Sequence, residues 1–372
     1  MKQLIGKSNH HFVLLMTGLV LALCSSNVHA ALTYWDPLAG AGTTASDYTG
    51  VWENSTWASS TATLTTQIAW PEVGNAAAFT AGASAATPAF TVTMNSAHTV
   101  AGVFNGAVTG AGACNLTIAG PGSIFMNGTS TTAQGFNTGT GAFTKINVPI
   151  SGAAILTCEG TGQLYLNATN TYTGGTMFGF AASPAFSGIL NFVNGSSFGT
   201  GNLIVSNTST AICGLVAEGT TAVTITNRWT WSSFGGGVNI VGNPAGVTFS
   251  GTMAIAANNT NVNLFAGGTG NLVIMSGVIS GGKAGGFFNK GNTSTLRLSA
   301  ANTHIAITTV SNGVLQAGNA SCIPLNSATP NTGKGDLWVY SPGIFDINGV
   351  SPTVSGLAGT GTIDNKSATA AT

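Results

Sequence analysis

Charged residues are scarce in this sequence. Lys, Arg, Asp and Glu make up 5% of its 372 residues, whereas about 25% is usual in soluble domains. Nine basic residues balance nine acidic ones, and binding to nucleic-acid phosphates needs clustered Lys and Arg. We therefore expect no nucleic-acid partner and a surface that is polar without being charged.

Groups that could catalyse a reaction are also few and scattered. Beyond residue 30, His98 and His304 are the only histidines, and the closest late pair of acidic residues is Asp336 and Asp346. A polysaccharide hydrolase or lyase needs carboxylates, or a base with cationic partners, on one face, and only folding could bring such distant residues together. We expect Asp336 and Asp346 to be turn residues at separate corners. No nucleophile-elbow, zincin or phosphate-loop motif occurs, so the sequence predicts no catalytic residue and no cofactor.

Closely spaced cysteines are absent. Beyond residue 30 the cysteines lie far apart, at Cys114, Cys158, Cys213 and Cys322, and neither a CxxC pair nor a neighbouring histidine marks a metal site. Export would permit disulfides, for which four cysteines allow three pairings. We interpret these residues as small buried thiols or as one incidental bridge.

No apolar run is long enough to cross a membrane as a helix. The longest, Phe12 to Cys24, follows Lys2 and Lys7 and precedes Val28-His29-Ala30, which ends in the small residue that signal peptidase prefers. We predict a cleaved signal peptide over residues 1–30, a secreted or cell-surface protein, and a mature chain without a transmembrane segment. Loss of the two lysines leaves seven basic and nine acidic residues, a net charge of about −2.

Short alternating or apolar runs fill the rest of the chain. They are rich in Val, Ile, Leu and Thr and are closed by Gly or Asn, which is the pattern of β-strands. We predict strands in residues 90–94, 115–120, 163–167, 189–195, 202–207, 222–227, 238–243, 271–277, 295–300, 313–318 and 336–341. No amphipathic helical pattern is found.

Tight corners recur between these runs. Gly accounts for 53 residues, and Asn-Gly pairs occur at 105–106, 127–128, 194–195, 312–313 and 348–349, where both residues tolerate the positive φ of a sharp turn. Strands separated by such corners favour a stack of coils, in which every inner strand pairs with the coils above and below.

One block of sequence is repeated with variation. LYLNATNTYTGGT (164–176) aligns with LRLSAANTHIAIT (296–308), and the blocks that follow, 189–197 and 199–207, align with 314–322 and 333–341. The alignment keeps two Leu and an Asn-Thr pair, so NTYTGGT is predicted to be a corner of a stacked coil. His304 aligns with Tyr172, which we interpret as a variable outward position.

The order of these blocks resembles a known repeat. TLRLSAANT, GVLQAGNAS, GDLWVYSPGIFDING and SGLAGTGTIDN are similar, in that order, to the autotransporter-associated β-strand repeat of large secreted bacterial proteins. The segment from Ser276 to Thr303 is similar to the linking segment of that family, and YWDP, VWENSTW and AWPEVGNAAAF resemble its Trp-rich opening. The resemblance implies a right-handed parallel β-helix at the cell surface or outside the cell, usually without assigned catalytic residues.

From these patterns we predict three regions: a signal peptide (1–30), a Trp-rich N-terminal cap (31–85) and an all-β, right-handed parallel β-helix domain (86–372). The cap is expected because a terminal unit of a solenoid must cover its exposed core. An autotransporter would continue into a membrane barrel, which this sequence does not contain. We therefore expect either a fragment cut within a repeat or a free secreted rod.

Two tryptophans are the candidates for a ligand contact. Trp229 and Trp231 lie two residues apart, so a strand would place both on one face. If that face is outward, the rings would form a platform on which a sugar could stack. If it is inward, they would cover the coil interior or a neighbouring loop. They are the candidate carbohydrate-stacking site.

The leading hypothesis is a secreted, non-enzymatic rod that serves as a surface, adhesive or extracellular matrix component. Its partners would be extracellular polysaccharide or cell-surface components. The alternatives are a polysaccharide-active β-helix enzyme, lyase or hydrolase, and a carbohydrate-binding module that uses Trp229 and Trp231. Ionisable side chains converging on one outward groove would favour the enzyme.

Overall fold

The structure is a computed structural model of the chain. It describes residues 31–35, 49–54, 57–58, 68–72, 74–79, 89–106, 114–130, 132–178, 186–206, 212–232, 237–259, 261–268, 271–325 and 335–370. The predicted signal peptide lies outside these ranges.

All regular elements in the described residues are β-strands, and no helix that could span a membrane is found there. In the first half of the chain the strands are β1 (Ala31–Trp35), β2 (Gly50–Val51), β3 (Trp57–Ala58), β4 (Asn75–Phe79), β5 (Ala89–Thr93), β6 (Ala97–Thr99), β7 (Val103–Asn105), β8 (Asn115–Ala119), β9 (Ser123–Met126), β10 (Ala133–Thr138), β11 (Phe143–Ile146), β12 (Ile150–Gly152), β13 (Ile155–Gly160), β14 (Gln163–Leu166), β15 (Thr176–Phe178), β16 (Ile189–Phe192) and β17 (Leu203–Val205).

In the second half they are β18 (Ile212–Ala217), β19 (Val223–Ile225), β20 (Trp229–Trp231), β21 (Gly237–Val241), β22 (Val247–Phe249), β23 (Met253–Ile255), β24 (Asn261–Gly267), β25 (Leu272–Met275), β26 (Ile279–Gly281), β27 (Phe287–Gly291), β28 (Thr295–Leu298), β29 (Ile307–Val310), β30 (Val314–Ala317), β31 (Asp336–Val339), β32 (Ile344–Asp346), β33 (Gly356–Ala358) and β34 (Thr362–Asp364).

The strands wind around a common core and form three faces. The first face is an 11-stranded sheet from β3 to β26, and the second is a 13-stranded sheet from β2 to β33. The third face consists of a 3-stranded sheet (β6, β9, β12) and, further along the chain, a 7-stranded sheet from β19 to β34. The strand pairs of these sheets are parallel, apart from the antiparallel pair of β1 and β3. The protein is therefore an all-β parallel β-solenoid, as the sequence predicted.

Alternate residues of each strand point into the coil and stack in columns. In the 13-stranded sheet Leu116, Thr144, Leu164, Leu190 and Leu215 occupy one such column, and each is buried. Burial of a leucine side chain contributes about 1.5–3 kcal/mol to stability. Four of these five coils place a leucine in the column, so the stabilisation recurs along the rod. The alternating pattern of the sequence thus produces a continuous core without a helix.

The side chain of Asn170 holds the NTYTGGT corner. Its Oδ1 accepts the N–H of Ile150 at 2.8 Å, and its Nδ2 donates to the carbonyl of Ser197 at 2.7 Å. Ile150 lies on the preceding coil and Ser197 on the following one, so one buried amide joins three levels of the stack. The segment is the predicted corner, since the chain has no strand between β14 and β15.

The aligned segment makes the same hydrogen bonds. The Oδ1 atom of Asn302 accepts the N–H of Ile279 at 2.9 Å, and its Nδ2 donates to the carbonyl of Cys322 at 2.8 Å. Cys322 is the residue that the sequence alignment matches to Ser197. Because β14 belongs to the 13-stranded sheet and β28 to the 7-stranded sheet, the two equivalent corners lie one face apart around the rod.

The interpretation of His304 as an outward residue is wrong. His304 and its counterpart Tyr172 are both fully buried. The hydroxyl of Tyr172 bonds to the hydroxyl of Thr176, and Nε2 of His304 lies 3.1 Å from Oγ1 of Thr308. Both rings therefore fill the inside of the corner, and a threonine four residues later bonds to the hydroxyl of Tyr172 and to Nε2 of His304.

Four tryptophans cluster at the amino-terminal end of the core. The ring centroids of Trp52 and Trp57, and those of Trp57 and Trp70, are 4.6 Å apart, while those of Trp35 and Trp57 are 5.1 Å apart. All four side chains are buried. This cluster fits the predicted cap, although the predicted boundary at residue 85 lies outside the described residues.

Candidate functional site

The two tryptophans of the predicted platform face the interior. Both indole rings are 0% exposed, because Trp229 occupies the inward column of Leu203 and Met253 in the 11-stranded sheet. The rings pack on each other at 6.5 Å, and Trp229 also contacts Phe249 at 5.2 Å. They cannot stack on a sugar in this fold, so the inward alternative is the correct one.

Other aromatic rings lie on the outer surface of the solenoid. Phe287 and Trp338 are half-buried, with centroids 5.7 Å apart, and Tyr340 follows at 6.4 Å from Trp338 with 42% of its surface exposed. Trp338 stands in an outward column of the 13-stranded sheet, next to Thr309 and Asn289. We call Phe287, Trp338 and Tyr340 the aromatic patch.

The late acidic pair does not converge. Asp336 begins β31 in the 13-stranded sheet, whereas Asp346 ends β32 in the 7-stranded sheet. Burial raises the pKa of Asp346, but hydrogen bonds from the N–H of Lys366, from Gln316 and from the N–H of Asn348 outweigh it and lower the pKa. Asp346 is thus an ionised carboxylate that caps a turn.

The cysteines are buried free thiols. Cys114, Cys158, Cys213 and Cys322 are each buried, and none of them takes part in a disulfide. Burial raises the pKa of Cys213 to about 12. A thiol in such surroundings packs as a small apolar side chain, because the reactive form is the thiolate.

One cluster of ionisable groups does form, around His98. Nδ1 of His98 lies 2.6 Å from Oε1 of Glu72, and Nε2 lies 3.0 Å from Oε1 of Glu53. The ring is stacked on Trp52, with centroids 5.8 Å apart and planes 23° apart. Oγ of Ser96 also lies 3.2 Å from Nε2. We call Glu53, Glu72, Ser96 and His98 the histidine cluster.

The topology of the amino-terminal coils assembles this cluster. His98 stands in β6, the first strand of the third face, in the inward column that continues with Ile124 and Ile150. Glu53 lies shortly after β2, and Glu72 follows the segment that contains the antiparallel strand β3. In sequence they lie 45 and 26 residues before His98. Stacking of the coils brings both glutamates into contact with His98 despite this separation in sequence.

Hydrogen bonding strongly favours the ionised form of Glu53. Burial raises its pKa, but bonds from His98 and from the N–H groups of Ser96 and Asn95 outweigh this effect and lower the pKa to about 2. Glu72 is held in turn by the N–H of Thr99, at 2.9 Å from Oε2. Because both ring nitrogens of His98 face a carboxylate oxygen, the ring can donate to both only as an imidazolium.

In this arrangement the cluster acts as a clamp. An imidazolium that donates from both nitrogens has no lone pair with which to accept a proton, so it cannot serve as a general base. The two carboxylates lie at opposite nitrogens of one ring, which also prevents them from chelating a single ion together with that ring. The local signal in the sequence was Ser96 and His98, two residues apart. The carboxylates could be found only from the fold.

A lysine lies inside the solenoid in the second half of the chain. Lys290 occupies an inward position between Leu264 and Val310 and is fully buried. Its Nζ donates to the carbonyls of Gly291 at 2.7 Å, Asn292 at 2.7 Å and Asn312 at 3.0 Å. Burial lowers its pKa to about 8. The side chain therefore satisfies three carbonyls where two corners meet, and the sequence pattern did not predict it.

Comparisons with protein-family models, curated proteins and solved structures find no match to this chain. The class to which the structure assigns it, a parallel β-solenoid, therefore rests on the fold itself.

Proposed function

We propose that this protein is a secreted, non-enzymatic rod that serves as a surface, adhesive or extracellular matrix component. The observation that carries the proposal is the outer surface of the solenoid, where uncharged side chains bond from coil to coil. Nδ2 of Asn289 donates to Oδ1 of Asn263 at 2.7 Å, and Nδ2 of Asn167 donates to Oδ1 of Asn147 at 2.8 Å. Such ladders stabilise a long surface without charge.

The histidine cluster supports a structural role for the ionisable groups. The imidazole ring of His98 and both carboxylates contact each other, the carboxylates also bond to backbone N–H groups of residues 95, 96 and 99, and Trp52 covers the ring. The arrangement thus ties the tryptophan cluster to the first full coil. In an enzyme, the catalytic acid or base would be accessible to substrate. In this cluster the carboxylate and ring atoms bond to one another and to the backbone instead.

The test uses the full chain, purified after export, with immobilised neutral and acidic polysaccharides. The proposed role predicts retention on at least one polysaccharide or on whole cells, without any shortening of the polymer in solution. Depolymerisation by the unaltered protein would contradict the non-enzymatic role. Detection of the protein only inside the producing cell would contradict secretion.

Carbohydrate binding is a second candidate function, and the aromatic patch is the observation that favours it. Aromatic rings with a wet edge stack on sugar rings, and Trp338 lies on the outer side of the 13-stranded sheet beside Tyr340, which is 42% exposed. Loss of polysaccharide retention after Trp338→Ala with Tyr340→Ala, the fold being intact, would assign the contact to this patch.

A further inference from the structure

One carboxylate oxygen in the histidine cluster accepts four donors. Oε1 of Glu53 lies 2.7 Å from the backbone N of Asn95, 2.7 Å from the backbone N of Ser96, 3.0 Å from Oγ of Ser96 and 3.0 Å from Nε2 of His98. Two consecutive backbone N–H groups that point at one oxygen are the arrangement that stabilises the oxyanion of acyl transfer. Glu53 fills that position with its own negative oxygen.

The other members of the cluster are arranged in space like a catalytic triad. Oγ of Ser96 lies 3.2 Å from Nε2 of His98, and Nδ1 of the same ring lies 2.6 Å from Oε1 of Glu72. Nucleophile, base and orienting carboxylate within hydrogen-bond reach define such a site by geometry rather than by sequence order. Ser96 is an exposed residue, so this arrangement lies at the surface of the protein.

We propose that Ser96, His98 and Glu72 form an ester-hydrolase site that Glu53 blocks, with its carboxylate lying where the carboxylate of an acid product would lie. The substrate class is an uncharged carboxylic ester, because the carboxylate of Glu72 remains in the unblocked site and repels an acidic substrate. This activity goes beyond the proposed rod function and resides at its amino-terminal end.

Glu53 blocks the site in three ways. Its Oε1 occupies the two backbone N–H groups, accepts a hydrogen bond from the Ser96 hydroxyl, and lies 3.0 Å from Nε2 of His98, the nitrogen that a base would use. Without this carboxylate, Glu72 holds the ring through Nδ1–H, as an orienting acid does. Nε2 then has a free lone pair towards Oγ of Ser96.

The reaction in the unblocked site balances without a further reagent. Oγ of Ser96 bonds to the ester carbonyl carbon, its proton passes to Nε2 of His98, and the carbonyl oxygen takes the charge between the N–H groups of Asn95 and Ser96. The bond from carbon to the alcohol oxygen then breaks, and the alcohol leaves with the proton from Nε2. Water hydrolyses the acyl-serine by the same steps, which returns the proton to Ser96.

The experiment compares the full chain with its Glu53→Ala variant, using a fluorophosphonate probe and p-nitrophenyl acetate. We expect the variant to be labelled at Ser96, as read by mass spectrometry, and to hydrolyse the ester about a hundredfold faster than the unaltered chain. Glu53→Ala with Ser96→Ala, and Glu53→Ala with His98→Gln, should both return to the rate of the unaltered chain.

Glu53→Gln keeps an amide oxygen for the two backbone N–H groups but lacks the negative charge that faces Nε2 of His98. Its labelling at Ser96 should therefore lie between that of the unaltered chain and that of Glu53→Ala. Folding is checked by circular dichroism and the unfolding midpoint. If Glu53→Ala fails to fold, labelling of Ser96 in Glu53→Gln tests the proposal. A folded variant without label at Ser96, or with label only at other serines, overturns the proposal.

Discussion

Asn170 and Asn302 make matching hydrogen bonds at two corners that lie on different faces of the solenoid. In each case Oδ1 accepts an N–H from the preceding coil, and Nδ2 donates to a carbonyl of the following coil. A corner of this kind does not depend on the face to which its strand belongs. The repeat is therefore a unit of corner and strand that occurs at more than one face of the solenoid.

Replacing either asparagine should destabilise the stack. Asn170→Ala leaves the N–H of Ile150 and the carbonyl of Ser197 buried without these partners, and each such loss costs about 1–3 kcal/mol. We expect the free energy of unfolding to fall by about 2–5 kcal/mol, with a similar loss for Asn302→Ala, as measured by urea denaturation. Asn202→Ala is the matched control, because this side chain is exposed and its amide lies 3.5 Å from Thr230. A loss in the control as large as that in Asn170→Ala would refute the role of the corner.

The inward and outward tryptophans should respond in opposite ways. Trp229→Ala opens a cavity in the core and should cost about 3–5 kcal/mol of unfolding free energy, while polysaccharide retention of the remaining folded protein stays unchanged. Trp338→Ala removes a half-buried outer ring and should lower retention with a loss of stability below about 1 kcal/mol. Affinity electrophoresis and thermal unfolding of the same two samples measure both effects. Loss of retention in Trp229→Ala at a temperature where it is folded would contradict the assignment.

The clamp at His98 should weaken in acid. The pKa of Glu53 is about 2 in the folded protein, below its unfolded value of about 4.3. The unfolded chain therefore takes up a proton first as the pH falls, so the contribution of Glu53 is complete above about pH 4.3 and is lost progressively towards pH 2. The difference in unfolding midpoint between the unaltered chain and Glu53→Gln should shrink over this range. A difference that is constant from pH 6 to pH 2 would mean that the charge of Glu53 does not hold the clamp.

Lys290 should make the stability of the second half depend on alkaline pH. Its pKa is about 8 when folded and about 10.4 when unfolded, so between these values the unfolded chain keeps the proton and the folded chain has released it. Raising the pH across this window therefore favours the folded state.

The variant Lys290→Met is the control for that titration. It leaves three carbonyls without their donor and should cost about 1–3 kcal/mol at pH 7. The advantage of the unaltered chain over Lys290→Met should then grow from pH 8 to pH 10. Taking the difference removes the contribution of the buried cysteines, which both proteins share. An advantage that declines over this window would contradict the assignment.

Eleven strands could be predicted from runs in which large apolar residues alternate or follow one another. Each of the eleven predicted runs contains a strand, from β5 at the first to β31 at the last. The alternating strand β24 (NVNLFAG) was missed, and so were strands of small residues such as β4 (NAAAF) and β10 (AQGFNT). Ala and Gly fit an inward position as easily as a loop, so these runs carry no period that distinguishes the two.

The direction of a side chain could not be predicted from the same pattern. Alternation shows that Trp229 and Trp231 share a face, and only the register with Leu203 and Met253 shows that this face is inward. The same uncertainty produced the error at His304, where a polar ring is buried because Thr308 bonds to it. The deciding contacts of the tryptophans come from neighbouring coils, and that of His304 comes from a threonine four residues later.

The sequence by itself determined the class of fold, the positions of eleven strands and the corner at Asn170, because these depend on local alternation and turn residues. Only the tertiary structure decided which rings are buried, that Lys290 lies in the core, and that Glu53 and Glu72 meet His98. Parallel stacking brings together residues that are a full coil or more apart in the chain. The length of each coil is set by loops whose sequence has no fixed period, so register, and every contact that depends on it, exists only in the folded stack.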